Sequence, residues 1–185
     1  HTKIAKFDAV IIETTGLADP APVAQTFFVD EEIQSMFSLD GIITVVDAKH
    51  IIARLDDEKP EGVENEAVEQ VAFADRVLLN KTDLVTEDDI VRIEKRIASM
   101  NSAAKIMRCT KAEVSVDSVL NIGAFDLERV VEMDPEFLNT DGEHEHDTTV
   151  SSVSITNDGA LDLGQIEKWI GELLRTKGAD IYRMK

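Results

Sequence analysis

ADRVLLNKTDLV, residues 74–85, is the stretch on which the fold turns. Val77, Leu78 and Leu79 follow Arg76 as a continuous apolar run of the length of a strand buried on both faces. Asn80, Lys81, Thr82 and Asp83 come next. Beyond them Ile90, Ile93, Ile97 and Met100 recur at helical spacing. Thr86 with Asp89 has the pattern of a capping box with the shorter acid. A strand, a polar turn and a helix are therefore expected in that order.

The same alternation continues on both sides. Upstream, FDAVII (7–12) reads as a buried strand ended by Glu13-Thr14-Thr15-Gly16, and Ile42 to Val46 as another after Gly41. Between them Pro20 and Pro22 open a segment with Val23, Phe27, Phe28 and Ile33 at helical spacing. Asp56 to Glu66 is charged and expected to be an exposed loop with a helix start, and Val63, Ala67, Val68, Val71 and Ala72 share one helical face. Downstream, Ala104 to Met107 makes a shorter strand. Strands alternating with helices predict an α/β fold, a parallel sheet with helices on both faces.

The polar segment NTDGEHEHD, 139–147, reads as a linker. After it VSSVSI (150–155) alternates as a half-buried strand. Asp162 and Gln165 can cap a helix striped with Leu163, Ile166, Ile170, Leu173 and Leu174 and ended by Gly178. The expected organisation is one domain over 1–138, an acidic histidine-containing linker over 139–149 and the start of a small α+β domain over 150–185.

The chain carries 37 Asp and Glu against 19 Lys and Arg, a formal charge of −18. That balance argues against nucleic acid or an anionic membrane surface as a partner. No apolar run approaches the roughly 20 residues needed to span a bilayer. The single cysteine, Cys109, cannot form an internal disulfide, which suits a reducing, cytoplasmic setting or an organelle stroma or matrix. The chain opens at His1 without a methionine, so preceding residues, including any targeting segment, are expected to be missing.

Asn80-Lys81-Thr82-Asp83 sits where ligands gather in parallel sheets, at the carboxyl end of a strand. Guanine presents its N1–H and N2 amino group side by side, and the Asp83 carboxylate can accept both. Adenine offers no such pair. The Asn80 amide can bond the N7 and O6 edge, and the aliphatic stem of Lys81 can lie across the base. The same residue types also serve a plain turn and helix start. Glu13-x-x-Gly16 is a weaker signal. A carboxylate there can hold Mg²⁺ through water or orient an attacking water, and Gly16 lets its N–H approach a γ-phosphate; a strand ending in a glycine turn has the same spacing. Asp47 reads either as a strand terminator or as an outer ligand of Mg²⁺, and His50 as a surface residue at a helix start. Cys109 reads as structural rather than reactive.

IIETTGLADPAPVAQ, GIITVVDAKH, ADRVLLNKTDLV and the later VSSVSI with its helix together resemble the CobW family of GTPases, relatives of the metallochaperones HypB and UreG. The resemblance covers nearly the whole chain and implies that the sheet is of the P-loop NTPase type, and Glu13 matches the Glu of that family's acid-x-x-Gly element. It implies GTP hydrolysis coupled to delivery of a metal ion, often zinc or cobalt, to a client protein, with a nucleotide-dependent dimer as a further possibility. It also implies that Cys109, Thr110 and Lys111 occupy the loop that closes over the guanine base. Two elements of the pattern are missing. No G-x-x-x-x-G-K-[ST] occurs, Gly159 and Gly164 being followed by Gln165 and Ile166, and no Cys-x-Cys-Cys occurs. This chain by itself is therefore not expected to hydrolyse GTP.

His144 and His146 alternate in Glu143-His144-Glu145-His146, so an extended backbone would present both imidazoles to one ion. Two ligands fall short of the three or four zinc takes, and a solvated acidic linker is the alternative. The resemblance adds that CobW-like proteins often carry histidines near this boundary. Two other classes of function stand beside the metallochaperone: a nucleotide-binding regulatory or scaffold protein with little hydrolysis, and an ATP-using P-loop enzyme, against which N-K-x-D argues.

Overall fold

The computed structural model describes residues 8–59, 65–135, 137–139, 153–156, 159–178 and 181. It separates into two compact units, His1–Asp147 and Thr148–Lys185.

The first unit is built on three parallel strands, β1 (Ile43–Asp47), β2 (Arg76–Asn80) and β3 (Lys105–Arg108), in the order β1-β2-β3. Ile43 stands opposite Arg76 and Asp47 opposite Asn80, so the two strands end together. β2 lies in the middle and is buried on both faces at Val77, Leu78 and Leu79, as its unbroken apolar run requires.

Helices α1 (Ala21–Val29), α2 (Glu31–Met36), α3 (Ile51–Leu55), α4 (Glu66–Ala72), α5 (Glu87–Met100) and α6 (Leu127–Met133) alternate with the strands. α5 begins at the predicted capping box. The Asp89 N–H donates to the Thr86 hydroxyl oxygen at 3.2 Å, and the Thr86 N–H donates to Asp89 at 3.1 Å. Its apolar stripe, Ile90, Ile93 and Ile97, packs with Val46, Val77 and Leu79 of the sheet and with Leu55 and Val71 of α3 and α4. Burying an Ile or Leu side chain contributes about 1.5–3 kcal/mol, so this cluster is the main adhesive of the layer. On the opposite face Val45 of β1 is 59% exposed.

A second cluster joins α1 to α6. Phe137 and Val130 are fully enclosed, packed with Ala21, Ala24 and Phe73. The Phe28 ring stacks on Phe125 at 5.2 Å between centroids, and Phe137 meets Phe73 at 6.0 Å.

Three sequence expectations are corrected. The helical segment after Pro20 is two helices, because the Asp30 side chain accepts the Glu32 and Ile33 N–H groups at 2.9 and 3.0 Å and starts a new helix there. Residues 8–15 form neither strand nor helix, and Val10, Ile11 and Ile12 are 54%, 78% and 55% exposed. A parallel strand is held by the ladders on either side of it, and among the described residues none pairs with this run. Residues 153–156 likewise form no strand, with Val153 and Ile155 exposed.

In the second unit α7 (Leu163–Lys177) starts where expected, the Asp162 carboxylate accepting the Gln165 N–H at 2.9 Å, and ends at Gly178. None of its residues is buried. No helix among the described residues is long and apolar enough to cross a membrane.

Candidate functional site

β2 delivers Asn80 to the carboxyl edge of the sheet, and the chain then turns sharply. Lys81 takes the left-handed conformation at φ 60°, ψ 35°, and Thr82–Leu84 close a 3₁₀ turn. A non-glycine residue in that region is uncommon and marks a position fixed by its surroundings. Here the fixing contacts come from two neighbouring loops.

The loop after β3 supplies the first set. The Thr82 N–H and hydroxyl both donate to the Cys109 carbonyl, at 3.4 and 3.1 Å, and the Thr82 and Thr110 hydroxyls meet at 3.4 Å. Asn80 Oδ1 accepts the Ala112 N–H at 2.9 Å, with the Cys109 thiol at 3.7 Å. Lys111 and Ala112 are themselves left-handed, both at φ 54°. The Asn80 side chain thus fastens the loop after β3 onto the end of β2. Its Nδ2 makes no hydrogen bond among the described residues. Cys109 is 6% exposed, and burial pushes its thiol pKa up. A thiol held protonated by burial is a packing group and a poor nucleophile.

The loop after β1 supplies the second set. The Ala48 N–H donates to the Asn80 carbonyl at 2.9 Å, and the Lys81 ammonium reaches Asp47 Oδ2 at 2.6 Å. His50 Nδ1 lies 3.2 Å from the same oxygen, while Asp47 Oδ1 accepts the Lys49 N–H at 2.9 Å. Partial burial opposes ionisation of Asp47, but the hydrogen bonds from Lys81, His50 and Lys49 outweigh it and hold its pKa below the usual carboxylate value. Sequence reasoning treated Asp47 as a strand terminator or a magnesium neighbour and missed its contact with Lys81. The signal was available in the pairing of strand ends, since Asp47 stands opposite Asn80.

Asp83 is exposed on the 3₁₀ turn, and its carboxylate makes no hydrogen bond among the described residues. Asn80, Lys81, Thr82, Cys109, Thr110 and Ala112 therefore converge, with Asp83 projecting beside them. Glu13 and Gly16 do not join this group. Both are exposed, and neither bonds to the Asn80 turn. The segment that follows them is held elsewhere, the Gln70 side chain donating to the Ala18 carbonyl at 2.8 Å. His144 and His146 lie outside the described residues, and among the described residues no three His, Cys, Asp or Glu side chains stand together as a metal site. A depression lined by Phe27, Phe28, Gln34, Phe37, Ser38 and Leu39 shares no residue with the Asn80 turn.

Several known proteins resemble this chain. The zinc-regulated GTPase metalloprotein activator 1 of Schizosaccharomyces pombe is 38% identical over 121 residues, 65% of this chain and 28% of that protein. The zinc chaperone YjiA of Escherichia coli is 33% identical over 181 residues, 97% of this chain and 54% of that protein. The crystal structure of Zn(II)-bound YjiA GTPase from E. coli superimposes with a TM-score of 0.57 at 28% identity, covering 93% of this chain and 51% of that one. This chain thus spans about half the length of YjiA and about a quarter of the yeast protein. The family model for the CobW/HypB/UreG nucleotide-binding domain matches residues 1–108, and the chain belongs to that family.

Proposed function

We propose that this chain carries the guanine-recognising part of a GTPase that couples its nucleotide state to delivery of a metal ion, zinc or cobalt, to a client protein. The observation that carries the reading is the turn after β2. Among the described residues the Asp83 carboxylate and Asn80 Nδ2 have no hydrogen-bond partner, while Asn80 Oδ1 and the Thr82 hydroxyl are used to build the turn. A double acceptor for the guanine N1–H and N2 amino group beside an amide N–H₂ that can donate to its N7 and O6 edge is the complement of that base. The names of the relatives, a zinc chaperone and a zinc-regulated GTPase metalloprotein activator, support metal delivery as the purpose of the nucleotide cycle.

In this reading Asn80, Lys81 and Asp83 read the base, Cys109 and Thr110 belong to the loop that closes over it, and Gly16 and Glu13 serve the γ-phosphate and the attacking water. Mg²⁺ would neutralise phosphate charge. Among the described residues no three His, Cys, Asp or Glu side chains stand together to hold it. The domain assignment is a nucleotide-binding domain over 1–138, a linker over 139–149 with His144 and His146 as candidate ligands for the transported ion, and a second domain from 150. The break between compact units after Asp147 supports this division. A cytoplasmic or organelle-stromal setting is supported by the lone buried thiol of Cys109. A nucleotide-dependent dimer belongs to the same proposal. A second reading, nucleotide-controlled scaffolding with little hydrolysis, draws on the exposed position of Glu13, which has no hydrogen-bond partner among the described residues.

The test is Asp83→Asn in the full-length protein, titrated with GTP and with xanthosine triphosphate. Exchange of a double acceptor for a mixed donor and acceptor is expected to weaken GTP binding by on the order of a hundredfold and to favour xanthine. Unchanged GTP affinity would overturn the guanine assignment.

A further inference from the structure

We infer that Asp47 is a positioning residue for the guanine pocket. It holds the Lys81 ammonium so that the four-carbon stem forms a fixed shelf for the base before any nucleotide arrives. The inference rests on the guanine reading above and deepens it.

Three observations carry it. First, β1 and β2 end in register, Asp47 opposite Asn80, and the Ala48 N–H clamps the Asn80 carbonyl at 2.9 Å. The carboxylate and the turn it serves therefore share one rigid edge. Second, Asp47 is held from several sides. The Lys49 N–H occupies Oδ1 at 2.9 Å, the His50 N–H closes a turn on the Asp47 carbonyl at 3.1 Å, and the His50 ring stands 3.2 Å from Oδ2. Its remaining strong interaction is the 2.6 Å contact with Lys81. Third, Lys81 is left-handed at φ 60°, which sets the direction in which its side chain leaves the turn.

The magnitudes favour a binding role over a stabilising one. The Lys81 side chain is 50% exposed and that of Asp47 29%, and ion pairs so open to solvent contribute little to folding. A lysine carries large rotamer freedom, and fixing such a side chain on binding weakens affinity about threefold to tenfold. A partner that fixes it in the free protein removes that cost from the binding step. The ion pair is thus silent in stability and expressed in affinity.

The test is a double-mutant cycle in the full-length protein between Asp47→Asn and Lys81→Met, with nucleotide affinity and Tm measured on each. Asparagine keeps the Oδ1 acceptor for the Lys49 N–H but places an amide N–H₂ against the lysine ammonium. Methionine keeps most of the stem and removes the charge. Asp47→Asn is expected to weaken GTP binding about threefold to tenfold with Tm within about a degree, and to have no further effect in the Lys81→Met background. An undiminished loss in that background, or a marked fall in Tm, would show that Asp47 acts on something other than Lys81 and would overturn the inference. Asp83→Asn is run alongside. If it reduces GTP affinity while Asp47→Asn does not, the positioning role alone falls; if Asp83→Asn has no effect, the guanine reading falls and takes this inference with it.

Discussion

Arg129 on α6 closes an ion pair on Asp75, whose other carboxylate oxygen accepts the Ile42 N–H at 2.8 Å. Asp75 is 4% exposed and stands just before β2. Its N–H bonds the Ile42 carbonyl at 2.9 Å, and its carbonyl accepts the Lys105 N–H at 3.2 Å. Through its backbone and its carboxylate together, Asp75 thereby gathers the entries of all three strands and ties them to the second hydrophobic cluster through α6. Arg129→Met would leave the charge buried with a single N–H partner, and removing one member of a buried pair costs on the order of 3 kcal/mol.

That loss is expected to depend on pH in a defined sense. Burial raises the Asp75 pKa above the usual value, against the lowering effects of the Ile42 N–H, Arg129 and Arg76. Loss of Arg129 raises it further. A carboxyl whose folded pKa lies above its unfolded value contributes its stability in full below the unfolded value and loses it as pH rises through the folded one. The Tm deficit of Arg129→Met should therefore be smallest near pH 4 and grow towards pH 7. A deficit that stays constant over that range would show that Asp75 does not carry it.

Asn101 offers a test of polar packing without a charge. Its Nδ2 donates to the Val71, Ala72 and Ala74 carbonyls at 2.9, 2.8 and 2.8 Å, and its Oδ1 accepts the Ala103 and Ala104 N–H groups at 3.2 and 3.1 Å. The side chain, 6% exposed, closes the end of α4 and leads the chain from α5 into β3. Asn101→Ala would strand acceptors away from water, at about 1–3 kcal/mol. Asn101→Asp should be worse, since it turns a carboxylate towards carbonyl oxygens. Urea denaturation should place the midpoints in the order wild type, Ala, Asp; an alanine variant as stable as wild type would mean that water takes over the contacts.

These contacts also mark what could be read from the chain alone. α5 was legible because its capping box and apolar stripe are local, and the Asn80 turn because a strand must end and a helix must begin around it. Asp75 and Arg129 lie 54 residues apart, and nothing local to either announces the other. The run Val10 to Ile12 was misread for a related reason. Apolar composition describes a strand's faces, whereas the ladders that hold it depend on neighbours that composition does not name. Asp30 was legible in retrospect, an acid before Glu31 and Glu32 in the order an N-cap takes. Asn80 reads from sequence either as a ligand contact or as a plain turn residue, and half of its amide does serve the turn by accepting the Ala112 N–H.

Glu13 and Gly16 provide the closing prediction, on hydrolysis. A Cβ built on Gly16 meets no heavy atom within 4 Å, so Gly16→Ala should leave Tm unchanged. Any effect it has on turnover must then come through a ligand that approaches the backbone there. Glu13 is exposed and makes no hydrogen bond among the described residues, so Glu13→Gln should be equally silent in stability. If Glu13 orients or deprotonates the attacking water, the full-length Glu13→Gln variant should turn over GTP about a hundredfold more slowly, with GTP affinity within roughly twofold of wild type, because the lost interaction is made only in the transition state. Single-turnover hydrolysis with Mg²⁺, alongside equilibrium binding, separates the two quantities. Undiminished turnover would remove Glu13 from the mechanism. A parallel loss of binding and turnover would instead make it a ligand-holding group.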